Sequence, residues 1–299
     1  MAAAPPYPVS SPPVIAFHID RAAQDIRLSP SSTTPWTLQS LDLDRIEFSR
    51  IRHNEDLFFL LCSASLVESG ADLHIGKLVD HFVGDQELQT WLSQHWAHDK
   101  LQHGRALAAY VRKVWPEFDW NRGFETFWKD YRTTSAKPLE PSRGLELAAR
   151  CVLKTGTASH YRALHEITDE PVLKQLTDLL KADSVRHYRH FYHHYRLHRQ
   201  REGFGRYKVF RTILRRVRDI RAESNSTALR HVFDQCYPQH QNSEIEFRRI
   251  SDRAHGLMRQ NLPATMTAKM LLKPLELPTS LQTGLEKPVA RLTERFLMR

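Results

Sequence analysis

His98-Asp99-Lys100-Leu101-Gln102-His103-Gly104 and Ala182-Asp183-Ser184-Val185-Arg186-His187-Tyr188 carry the same pattern, Asp-X-X-X-His. Apolar residues recur at helical spacing around both, which predicts helix. Residues three apart share a helix face, so Lys100 and His103 point one way, and Ser184 and His187 do the same. About one helix upstream stand Glu68, in Leu66-Val67-Glu68-Ser69-Gly70, and Lys154, in Leu153-Lys154-Thr155-Gly156-Thr157. The intervals nearly repeat: 32 residues from Glu68 to Lys100 and 30 from Lys154 to Ser184.

With Trp96, Gly104-Arg105-Ala106-Leu107 and Val114-Trp115-Pro116-Glu117-Phe118-Asp119-Trp120, these motifs resemble the ferritin-like proteins. The branch in question is that of soluble acyl-carrier-protein desaturases and related di-iron proteins, and the likeness spans about Trp36 to Arg201. In that family each half of a four-helix bundle supplies one Glu and one Glu-X-X-His motif to a di-metal centre. Glu68 matches the first-helix ligand, and His103 and His187 match the two histidines. Lys100, Lys154 and Ser184 stand where the other three glutamates are expected. Asp99 and Asp183 match the acids that hydrogen-bond the ligand histidines from outside. The resemblance implies an all-α, ferritin-like four-helix bundle with additional C-terminal helices. Residues 1–37, rich in Pro, Ser and Ala, read as an irregular N-terminal arm. Residues 38–202 form the bundle, and 203–299 a helical extension packed on it.

The departures decide the expected chemistry. Two ferrous ions need about four carboxylates for neutrality; this centre offers one, with two imidazoles, a hydroxyl and two ammonium groups. A charged lysine has no lone pair to give a metal. No cofactor is therefore expected, and Glu68, Lys100, Lys154 and Ser184 read as a degenerate, metal-free centre held by a lysine–carboxylate network. Its role would be structural or in binding. The alternative is an oxidoreductase with an atypical site, acting on an acyl or other small molecule. It would use one iron or manganese on Glu68, His103 and His187, or lysine chemistry.

Charge points to a partner. The chain has 299 residues, a net charge of +9 and a pI near 9.6. Arg186 to Arg218 holds ten Arg, one Lys and five His against Glu202 alone. Such a stretch suits an acidic partner, an acidic carrier protein by resemblance, with Arg189, Arg196, Arg199, Arg211 and Arg215 as contacts. The competing reading is a solvated helix face. No nucleic-acid motif accompanies it, and a homodimer is expected. His190 and His194 have a metal-compatible spacing, but with no acid nearby in sequence they read as surface histidines. Cys62, Cys151 and Cys236 are scattered and read as buried small hydrophobes. There is no spanning apolar run and no signal-peptide layout, so the expectation is a cytoplasmic protein.

Local signals set the boundaries. Asn54 caps a helix reaching about Phe82, and Asp85 caps a second reaching Trp115 before Pro116. A short helix ends near Tyr131. Ser142 caps a third long helix, about 143–167. Asp169-Glu170-Pro171 starts a fourth, with Asp169 as N-cap, running to about Arg201. Residues 206–223, 226–236 and 243–260 have helical patterns. Met266 and Met270 read as packing residues.

Overall fold

A computed structural model describes residues 36–70, 72–134, 138–223, 225–240 and 243–296. Of the expected irregular arm, 1–37, residues 1–35 lie outside the described residues. Thirteen α-helices form among them: α1 Phe48–Ile51, α2 Glu55–Ser69, α3 Asp72–His81, α4 Gln86–Trp91, α5 Ala97–Val114, α6 Trp120–Thr134 and α7 Arg143–Ile167. Then follow α8 Pro171–Glu202, α9 Arg206–Glu223, α10 Asn225–Cys236, α11 Glu244–Gln260, α12 Ala264–Leu272 and α13 Thr279–Phe296. No strand occurs among the described residues, and the fold is all-α. None of these helices is long and apolar enough to cross a membrane.

The chief pairings are α7 with α8 and α2 with α5. Only Thr168–Glu170 separates α7 from α8, so the two form an antiparallel hairpin. Ser142 caps α7 by accepting the Leu145 N–H, and Asn54 caps α2 through the Leu57 N–H. The cap of α8 is Glu170 rather than Asp169; its carboxylate accepts the N–H groups of Val172 and Leu173 at 3.1 and 2.7 Å. The longer side chain wins because it also accepts the Tyr110 hydroxyl at 2.7 Å, a contact invisible in local sequence. Gly203 ends α8 in the left-handed region at φ 66°, where glycine carries no Cβ penalty.

Two expected continuous helices are broken. The helix from Asn54 ends at Gly70, whose N–H closes back on the Leu66 and Val67 carbonyls, and α3 follows separately. The helix from Asp85 widens to π geometry over Leu92–Trp96 before α5. A π turn inserts an extra residue into the ladder and re-aims the following turn, here the one bearing Asp99, Lys100 and His103.

α2 is apolar all round, so α5 alone cannot cover it. α10 and α11 pack on its other side, and α9 and α12 pack on α7. α2 and α5 approach closely at Gly104, where a Cβ would lie 2.8 Å from the Ser69 Cα. One apolar cluster contains Phe59, Leu61, Tyr110, Tyr161 and Phe233. Another contains Phe82, Trp96, Cys151, Phe191 and Tyr195. Cys62 and Cys151 are buried as expected and Cys236 is half-buried, all three reduced. Met270 packs against the second cluster.

Candidate functional site

Four helices carry the polar residues of the repeated motif: Glu68 from α2, Asp99, Lys100 and His103 from α5, Lys154 from α7, and Asp183, Ser184 and His187 from α8. The two half-motifs interlock crosswise. The Nε2 of His103 lies 2.9 Å from Asp183, and the Nε2 of His187 lies 2.7 Å from Asp99. The rings of His103 and His187 stack with centroids 6.1 Å apart. Arg186 ties both acids together, reaching Asp99 at 2.7 Å and Asp183 at 2.6 Å.

A carboxylate only accepts, so each histidine donates from Nε2. Both Nδ1 atoms are buried and have no hydrogen-bond partner. Burial pushes the His187 imidazole down to about 3, which keeps it neutral.

Lys100 forms a salt bridge with Glu68 Oε2. The other oxygen of Glu68 accepts the Tyr161 hydroxyl at 3.0 Å. Burial alone would raise the Glu68 carboxyl; Lys100, His103 and Lys154 overcome it and hold the group down at about 2. Lys154 differs. It is buried, makes no hydrogen bond among the described residues, and has its Nζ 5.6 Å from the centroid of the Trp96 ring. Burial, then repulsion from Lys100, lowers its amine from an ordinary 10.5 to about 7. The Ser184 hydroxyl turns back to the Leu180 carbonyl at 2.8 Å, so its proton is engaged within its own helix.

Two neighbours escaped sequence reasoning. Trp36, assigned by sequence to the N-terminal arm, donates its indole N–H to Asp183 at 2.8 Å and stacks on His103. Its carbonyl accepts from Gln102 at 2.6 Å. Tyr161 is the other; it lies seven residues beyond Lys154, two turns along the same face, a spacing that could have marked it.

Of His190, His193, His194 and His198, expected at the surface, only His193 is exposed. His194 and His198 are buried. Acids remote in sequence meet them: Asp85 lies 2.8 Å from His198 Nε2 and Glu87 lies 3.9 Å from His194 Nε2. Even so, no group of three or more His, Cys, Asp or Glu among the described residues is arranged to hold a metal ion.

Much of the basic stretch is paired internally. Arg196 and Arg199 reach Glu276 at 3.2 and 2.9 Å, and Arg215 pairs with Glu140. Arg189 is exposed. Arg211 lies over the Tyr207 ring at 5.9 Å, on a face of α9 that also exposes Phe210 and Leu214.

Comparisons with protein-family models, curated proteins and solved structures return no match.

Proposed function

We propose that this is a ferritin-like protein whose centre has exchanged a di-iron site for a lysine–carboxylate network, with a binding role in place of oxygen chemistry. The observation that carries the reading is Lys100 paired with Glu68, the one carboxylate that matches an inner ligand. A cation sits where a cation would bind, and the second Glu68 oxygen is engaged by Tyr161. The crosswise Asp–His pairs support descent from the metal-binding frame, because ligand histidines are oriented by acids in that way. The residues present do not fit two irons: one inner carboxylate cannot balance their charge, and two lysines add to it.

A second reading is an oxidoreductase with one metal on Glu68, His103 and His187. A specific observation favours it, the two buried Nδ1 atoms without hydrogen-bond partners. The pairing of Glu68 with Lys100 weighs against it.

Metal content separates the two. Untagged full-length protein made with iron and manganese supplied is expected to contain neither. About one equivalent would favour the second reading, and two would overturn both. The triple variant Lys100→Glu, Lys154→Glu, Ser184→Glu restores the missing carboxylates and is expected to take up iron or manganese. A folded triple variant that binds neither would remove the ferritin-like assignment.

An acidic partner fits the part of the basic stretch left unpaired, Arg189 and the exposed face of α9. Binding there is expected to weaken as salt rises.

A further inference from the structure

The centre holds two lysines but divides its acceptors unequally. Glu68 accepts from Lys100 on one oxygen and from Tyr161 on the other. Asp99 is held by His187 and Arg186. Asp183 is held by His103, Trp36 and Arg186. Lys154 hydrogen-bonds to none of them among the described residues and is only 5 % exposed. The indole of Trp96, the cations Lys100 and Arg150 and the carboxylates of Glu68 and Asp99 surround it; Arg150 is bound to Glu146 at 2.6 Å, and neither Glu68 nor Asp99 hydrogen-bonds Lys154. The Lys154 side chain is not wholly sealed in, because that small fraction of its surface remains exposed.

A buried ammonium without an acceptor is costly, and a purely structural core would be better served by an apolar side chain. Desolvation and an adjacent cation are the two means by which a lysine is made nucleophilic at neutral pH. Both meet at this one amine.

We infer that Lys154 is a nucleophilic amine that captures a small carbonyl compound, an aldehyde or 2-oxo acid, as a reversible imine. The nitrogen lone pair adds to the carbonyl carbon. Both protons of the neutral amine pass in turn to the carbonyl oxygen, the first as the C–N bond forms and the second as the C=N bond forms and that oxygen leaves as water. Addition of water reverses the step, with no change in oxidation state. The lowered basicity of the amine, about 7, leaves a large neutral fraction at neutral pH. The inference rests on the metal-free reading and gives its binding role a ligand class.

The test treats untagged full-length protein at pH 7 with propanal or pyruvate and sodium cyanoborohydride, which reduces the imine to a stable amine. Peptide mass spectrometry then locates the adducts. Lys154 is expected to react at least about tenfold faster than the exposed Lys113 and Lys129. Its rate against pH is expected to turn near 7, not near 10.5. Lys100→Met removes the adjacent charge and is expected to slow Lys154 at pH 7, whereas Lys100→Arg keeps the charge and the rate. If Lys100→Met does not fold, the pH profile of the parent decides. Lys154 reacting no faster than Lys113 and Lys129, or turning near 10.5, overturns the inference. Metal content of the same sample keeps the two proposals apart. An inert Lys154 in metal-free protein removes only the imine site, and stoichiometric metal removes the reading beneath it.

Discussion

In the first half of the repeated motif, Lys100 lies against Glu68, and Tyr161 completes the carboxylate. In the second half, Lys154 lies over the Trp96 ring and makes no hydrogen bond among the described residues. The two lysines stand at different places in the repeated frame, Lys100 matching Ser184 and Lys154 matching Glu68, and hydrogen bonding to a carboxylate separates them. Glu68 bonds directly to one, and the other is left buried without a hydrogen bond. The same substitution type therefore stabilises in one half and destabilises in the other.

Glu68→Gln should produce the largest effect. It strands the Lys100 ammonium and should destabilise by about 3–5 kcal/mol, measured by denaturant unfolding at pH 7. The carboxyl sits at about 2 when folded, against an ordinary 4.5. A depressed acid contributes fully above its unfolded value and loses that contribution as pH falls toward the folded one. The parent should therefore lose stability between about pH 4.5 and 2, and the variant should lose less across that window.

Lys154→Met should act in the opposite sense. Replacing an unpaired buried cation by an apolar side chain of similar length should stabilise by about 1–4 kcal/mol at pH 7. The unfolded chain binds this proton below 10.5, and the folded chain only below about 7. The cost of Lys154 thus grows as pH falls from 10.5 to 7 and is constant below that. The gain from the variant should vanish above pH 10.5. Equal losses from Glu68→Gln and Lys154→Met would erase the contrast between the halves.

Trp36→Phe keeps a ring on His103 but removes the hydrogen bond to Asp183. A loss of about 1.5–3 kcal/mol is expected in thermal or denaturant unfolding. Ser184→Ala should change stability least, by less than about 1 kcal/mol, because the hydroxyl bonds only to its own helix. A larger loss would give Ser184 a part in the centre that its geometry does not.

Strong local signals made many helix boundaries readable. Ser142 caps α7 and Gly203 ends α8 close to where the residues imply. α9, α10 and α11 also fall within a residue or so of their expected spans. α13 was not legible, because Pro288 lies inside it and proline ordinarily argues against a helix interior. The π turn at Leu92–Trp96 carries no local signature either.

The sequence by itself determined the all-α class, the repeated register, and which acids would face which helix surfaces. Those follow from short-range rules: helical period, capping and turn chemistry. Tertiary structure alone decided which groups share a proton or a charge. It brought Trp36 across 147 residues to Asp183 and set Asp85 against His198, 113 residues away. It also gave Glu68 to Lys100 and left Lys154 without a hydrogen bond among the described residues. Ion pairing depends on distances of a few ångströms and on burial, neither of which is fixed until the helices have packed.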